Sequence, residues 1–289
     1  MNGSPIISTH ELAGFIEKKS VRIIDCRFNL GDPDWGYENY LLGHIPGALY
    51  AHMNRDLSGQ VGPDTGRHPL PNEGIFLHKL AGWGISPDVQ VVVYDTVGGA
   101  FADRLWYMLR AIGHKNVRVL DGGLSKWQAD GHPLSTGPEE DPPIGETSNY
   151  ARLFDLSMLA STTEIEAALS DPSVLIVDAR APERYQGLQE PIDPVAGHIP
   201  GAVNRFHGEN LTREGVFKPK EVLKKEMLGL IGTHPLSKVV VYCGSGVTSC
   251  HHLIAFELAG LSGARLYVGS WSEWIRDPKR PIALGLEKR

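Results

Sequence analysis

Cysteine is nearly absent from this sequence: Cys26, Cys243 and Cys250 are the only three in 289 residues. So small and odd a set excludes a disulfide framework and fits a reducing compartment. Also absent is any apolar run near the roughly 18 residues that span a bilayer. The opening stretch, MNGSPIISTHELAGF, lacks the charged start and continuous apolar core of a signal peptide. There is no long basic run, and the net charge is −6, which argues against nucleic acid or a membrane surface as principal partner. A cytoplasmic protein is the expectation. What is present is an ordinary globular balance, 42% apolar and 21% charged. The length suits one large domain or two ordinary ones.

An internal repeat decides between them. GHIPGA occurs at Gly43–Ala48 and again at Gly197–Ala202; IIDCR (Ile23–Arg27) returns as IVDAR (Ile176–Arg180). VVVYD, ending at Asp95, returns as VVVYC, ending at Cys243, and DGGLSKW (Asp121–Trp127) matches VGSWSEW (Val268–Trp274). Matches in constant order mean a tandem duplication. STGPEEDPPIGETSNY, rich in Pro, Gly and acids and without periodicity, reads as the connection. The expected division is 1–135, a linker at 136–154, and 155–289.

Within each copy, Ser8-x-x-Glu11 before LAGFIEK and Ser161-x-x-Glu164 before IEAALS are capping-box patterns that open helices. VRIID and VLIVD follow as strands; VVVYD and VVVYC form a second pair, and VRVLDGG and ARLYVGS a third. Strands apolar at every position are covered on both faces, as in a parallel sheet. Each copy is therefore an α/β domain, a mainly parallel sheet flanked by helices, whose ligands gather at the carboxyl ends of the strands.

Cys243 is at such an end, followed by Gly244, Ser245, Gly246, Val247 and Thr248. Glycines let a loop curl until successive N–H groups point at one centre, an anion-binding nest. The positive end of the following helix adds to it. A thiol there ionises more easily. A lone buried cysteine is ordinarily core, but the first copy carries Asp95 at the same place, so the fold does not require cysteine there. Ser245 lacks the G-x-S-x-G context of a nucleophile elbow, and no Gly-Lys-Ser/Thr closes a phosphate loop. Where a cysteine phosphatase has its arginine, this chain has Ser249.

With these residues the whole chain resembles the tandem-domain rhodanese sulfurtransferases. The marks are GHIPGA in both halves, GSWSEW near the end, an inactive first copy and the loop CGSGVT. That loop is similar to the 3-mercaptopyruvate branch; the thiosulfate-preferring branch carries basic residues where Gly244 and Ser245 stand. The resemblance implies two rhodanese-like domains and no cofactor or metal. Sulfur would pass from 3-mercaptopyruvate or thiosulfate through a Cys243 persulfide to cyanide, a small thiol or thioredoxin. It implies a relay of Ser245, His68 in GRHPLP and Asp56 in MNRDLSG, and a donor-binding site of Arg184 with Gly244, Gly246, Val247 and Thr248. Thr248 serves equally as a helix N-cap. The animal mercaptopyruvate enzymes carry a second substrate arginine where this chain has Asp193. A thiosulfate-preferring enzyme, a non-catalytic docking module and a phosphatase-like enzyme are the competing readings.

Other residues read as framework. Cys250 is expected inside a helix as a small buried residue, and His251 and His252 match no common zinc spacing. Trp271 and Trp274 read as packing. Asp25 with Arg27, Asp178 with Arg180, and His44 with His198 recur in both copies and read as structural anchors.

Overall fold

Short apolar runs such as Val91–Tyr94 and Val239–Tyr242 have no polar side to turn to water, so they fold where both faces are covered. In the computed structural model, residues 3–17, 21–140, 142–147, 150 and 154–286 are described. They form two compact units. The first contains the residues up to Gly59, Leu70–Asp155 and Leu211–Phe217. The second contains Gln60–Pro69, Leu156–Asn210 and the residues from Lys218 onward. Each unit thus includes a short segment from the other repeat. Lys18 of the LAGFIEK run, and residues 141, 148, 149 and 151–153 of the expected linker, lie outside the described residues.

In the first unit, β1 (Ile6–Ile7), β2 (Arg22–Asp25), β3 (Ala48–Tyr50), β4 (Val91–Tyr94) and β5 (Val117–Leu120) form a sheet ordered β1-β5-β4-β2-β3. Every pairing is parallel, with Ile24 opposite Val93 at the centre. The helices are α1 (Thr9–Glu17), α2 (Trp35–Leu42), α3 (Glu73–Gly82), α4 (Ala102–Ala111) and α5 (Gly123–Ala129). Ile23, Val92, Tyr94 and Leu120 pack on one face with Leu12 of α1 and Leu124 and Trp127 of α5.

The second unit repeats the plan with β6 (Leu159–Ala160), β7 (Leu175–Asp178), β8 (Val203–Asn204), β9 (Val239–Tyr242) and β10 (Arg265–Tyr267), ordered β6-β10-β9-β7-β8 and again wholly parallel. Its helices are α6 (Thr162–Ala168), α7 (Pro182–Tyr185), α8 (Lys220–Ile231), α9 (Cys250–Leu258) and α10 (Ser270–Trp274). All four residues of β9 are buried. Ser161 caps α6 through the full reciprocal box with Glu164, whereas Ser8 shows the forward half, its hydroxyl accepting from Glu11 N–H at 3.2 Å.

The duplicated polar residues are anchors. Arg27 grips Asp25 at 2.6 Å and reaches the Gly43 carbonyl at 2.8 Å; Arg180 does the same with Asp178 at 2.7 Å and Gly197 at 2.6 Å. These bonds tie each central strand end to its GHIPGA turn. Buried charges persist only when paired in this way. His44 and His198 lie stacked on Tyr40 and Tyr185, each with Nδ1 on the same tyrosine's carbonyl oxygen. Trp271 and Trp274 are fully buried, their indole N–H groups donating to Val195 and Pro281 carbonyls. No described helix is long and apolar enough to cross a membrane.

Candidate active site

The strand β9 stops at Tyr242, so Cys243 is the first residue beyond the sheet, and residues 244–249 form the turn into α9. Gly246 takes φ +73°, and a Cβ there would run into the Val268 carbonyl, so only glycine fits. The cysteine backbone is pinned from β10 and α10. Its N–H donates to Ser270 Oγ at 3.1 Å, and its carbonyl accepts from Trp271 N–H at 3.0 Å. Ser270 is the only described non-glycine residue with positive φ, at 54°. Its first-repeat counterpart, Gly123, has φ 57°. A serine held in that conformation costs about 1–3 kcal/mol; here its hydroxyl also donates to the Tyr267 carbonyl at 2.8 Å. Sequence reasoning passed over Ser270, although the Gly-to-Ser change between copies was a readable signal.

The first unit shows what such a loop binds. The Asp95 carboxylate, in the position of Cys243, accepts from the N–H groups of Val97 (2.8 Å), Gly99 (2.9 Å), Phe101 (2.8 Å) and Ala102 (3.0 Å). Four donors converge on one anion. By the repeat alignment the matching positions in the second unit are Ser245, Val247, Ser249 and Cys250.

The thiol is 2% exposed. Burial pushes its pKa up, but hydroxyls of Ser249 and Thr248 and N–H groups of Ser245 and Ser249 favour the thiolate more, leaving Cys243 below its ordinary value. Cys26 shows the opposite: burial and the charges of Asp25 and Asp95 hold it well above. The Ser249 hydroxyl is fully buried and makes no hydrogen bond of ordinary geometry among the described residues. With Thr248 it is one of the hydroxyls near Cys243 that favour the thiolate. Ser249 also takes the N-cap position of α9, without a side-chain cap bond, so Thr248 is not the cap. Val247 is buried, its carbonyl accepting from Cys250 N–H at 3.1 Å. Cys250 is buried in α9 and donates to the Gly246 carbonyl at 3.5 Å.

Two further residues come from the segment Gln60–Pro69, which belongs to this unit. His68, buried, places Nδ1 2.7 Å from Ser245 Oγ. Arg67 is the second, and sequence reasoning missed it. An ideal Cβ on Gly244 would lie 3.1 Å from Arg67 Nη2 and 3.5 and 3.6 Å from Nη2 and Nη1 of Arg184. Two guanidinium groups therefore converge over the residue next to the thiol. Arg184 is held by Glu190 (Nε 3.0 Å, Nη2 2.8 Å) and by Asp193 (3.0 Å), and Asp193 also pairs with Arg67 Nη1. A second guanidinium thus lies beside Arg184 although position 193 is an aspartate. Asp56 lies in the first unit, where it accepts from His52 N–H at 2.8 Å and pairs with Lys79 at 2.8 Å.

A family model for the rhodanese-like domain matches residues 8–130 and 161–277, one range in each repeat. The chain belongs to the rhodanese family, with two such domains. Its relatives include a probable 3-mercaptopyruvate sulfurtransferase of Pseudomonas aeruginosa, 44% identical over 99% of this chain and 100% of that one. A putative thiosulfate sulfurtransferase, SseB, of Mycobacterium tuberculosis is 40% identical over 98% of both. Among solved structures, the 3-mercaptopyruvate sulfurtransferase from Leishmania major superposes with TM-score 0.84 at 30% identity, over 95% of this chain and 75% of that one. SseA from Escherichia coli gives 0.79 at 32%, over 93% and 99%.

Proposed function

We propose that this chain is a sulfurtransferase that takes sulfur from 3-mercaptopyruvate onto Cys243 and passes it to cyanide, a small thiol or thioredoxin, in the cytoplasm. The observation that carries the reading is the pair of strand-end loops. One cradles a carboxylate with four N–H groups, and the other places a thiol of lowered pKa at the same point.

The Cys243 thiolate attacks the donor sulfur, forming the S–S bond while the C–S bond breaks and leaves its electron pair on carbon. The resulting enolate takes a proton, yielding pyruvate and a persulfide whose terminal sulfur is anionic. The nest suits that charge, because its donors are fixed before the charge develops. In this reading His68, with Nδ1 2.7 Å from Ser245 Oγ, moves the proton, and Arg67 and Arg184 take the donor's carboxylate. The role that the resemblance implies for Asp56 is tested separately by Asp56→Asn. A nucleophile in the acceptor then removes the outer sulfur, completing a ping-pong cycle.

A thiosulfate donor is the second reading, favoured by the same two arginines, since a guanidinium pair also suits a sulfonate. Steady-state transfer from each donor, with wild type beside Cys243→Ser, decides. Mercaptopyruvate ahead by tenfold or more, about 1.4 kcal/mol in transition-state binding, supports the first reading. Thiosulfate ahead supports the second. Activity retained by Cys243→Ser defeats both.

A further inference from the structure

We infer that Asp193 is a specificity-determining positioning residue: its carboxylate joins the two arginines over Gly244 and cuts their charge, favouring donors whose leaving group carries one negative charge there rather than two. The inference rests on the reading of this loop as a sulfur-donor site and goes beyond it by assigning the choice of donor.

The arrangement is a connected network of charges. Arg67 and Arg184 are cations beside the Glu190 and Asp193 carboxylates. Glu190 also meets Arg180 at 3.3 Å, which is itself paired with Asp178, so cations and anions balance throughout. Asp193 is the shared member, bonding Arg184 Nη2 at 3.0 Å through one oxygen and Arg67 Nη1 through the other. Its own N–H donates to Glu190 Oε1 at 3.1 Å, as does that of Ile192, so the turn 190–193 fixes the Glu190 carboxylate beside Arg184. Arg67 Nη2 and Arg184 Nη1, which carry none of these bonds, come within 3.1 and 3.6 Å of the Gly244 Cβ position. The geometry of a two-arginine clamp is kept while its formal net charge is zero.

The donors differ in the charge they leave in that clamp. Transfer from thiosulfate breaks its S–S bond and leaves sulfite, with both negative charges on the group beside the arginines. Transfer from mercaptopyruvate leaves a carboxylate with one charge, because the enolate is quenched by a proton. A neutral clamp tolerates the second outcome better, and one of net +1 shifts the balance to the first. Charge at this range in a partly buried site is weakly screened.

The test is equilibrium binding of sulfite and pyruvate, the two leaving groups, at mildly alkaline pH. It uses full-length protein carrying Cys243→Ser, with and without Asp193→Asn. Asparagine keeps the shape and removes the charge. The expected result is a rise of about tenfold or more in the affinity of sulfite relative to pyruvate, with kcat/KM for thiosulfate over mercaptopyruvate rising likewise in Asp193→Asn with Cys243 intact. Glu190→Gln removes a charge from the same set and, should Asp193→Asn fail to fold, is expected to move the ratio in the same direction. A folded variant whose sulfite-to-pyruvate ratio is unchanged or lower overturns the inference. Failure of the wild type to turn over either donor overturns the functional reading instead, and leaves the binding ratio to decide the role of Asp193.

Discussion

Three cysteines in one chain, all buried, differ in what surrounds them. Cys26 has carboxylates nearby and is held as a thiol, whereas Cys243 has hydroxyl and N–H donors and is held toward thiolate. Hydrogen bonds to an ionised group contribute about 1.5–3 kcal/mol each, so single hydroxyls are measurable. Ser249→Ala and Thr248→Ala are each expected to raise the Cys243 pKa, because each removes a hydroxyl that favours the thiolate. The pH profile of alkylation by iodoacetamide reads this directly: the wild-type midpoint lies below that of an ordinary thiol, and each variant shifts it upward. Arg67→Gln leaves Asp193 with one cation fewer and removes half of the clamp. It is expected to raise KM for mercaptopyruvate about tenfold or more with the alkylation profile unmoved, separating donor binding from thiol activation in steady-state assays.

The element that matters most is β9 with its loop and α9. Gly246 fits because a side chain there would meet the Val268 carbonyl and the positive φ would strain it. Gly246→Ala is expected to lower stability by about 1–3 kcal/mol and to abolish transfer, seen in urea melts beside the donor assay. Much of this was legible in sequence. Val239–Tyr242 has no polar face, so burial followed; glycines after a cysteine at a strand end implied a curled loop; and the repeat supplied Asp95 as an internal comparison. Arg67 was not legible, because nothing in GRHPLP says which unit those residues join. Ser270 was missed for a different reason: its role comes from a φ of 54° that sequence does not print. Asp193 read as a lost arginine, and only the distances to Arg67 and Arg184 turned it into a partner.

At the scale of the whole molecule, the repeats and the compact units do not coincide. Residues 60–69 of the first repeat belong to the second unit and carry Arg67 and His68; residues 211–217 of the second belong to the first. The second repeat alone, residues 155–289, therefore lacks two residues of the candidate site. Expressed by itself it is expected to show less than about one-hundredth of full-length transfer, and full activity would show the exchanged segment to be dispensable. Stability should also fall in acid. His252, buried between Asn210 and the Arg205 carbonyl, is pushed by burial to about 3, and His114 to about 4, against an ordinary 6.5. Between those values the unfolded chain binds protons that the folded chain refuses, so stability is lost as pH falls below about 6.5, by at most about 1.4 kcal/mol per pH unit for each histidine. Glu190, held low by Arg184 despite burial, and Glu226, held low by Lys218 and Arg205, add to the loss in the same direction at lower pH. Urea midpoints between pH 7 and pH 4 should trace this slope, and His252→Gln should flatten it while lowering stability throughout.

The Asp95 carboxylate has one more consequence, for survival under oxidants. A thiolate that meets peroxide climbs from sulfenic to sulfinic and sulfonic acid, the later steps being irreversible, whereas a carboxylate side chain has no comparable ladder. The two copies of the loop thus age differently: peroxide wears out the second and leaves the first as made. A population of old molecules would keep one loop intact in every copy while losing the other, so the fold can outlast the activity. Intact mass with peptide mapping after peroxide exposure would find added oxygen at Cys243 and none at Asp95.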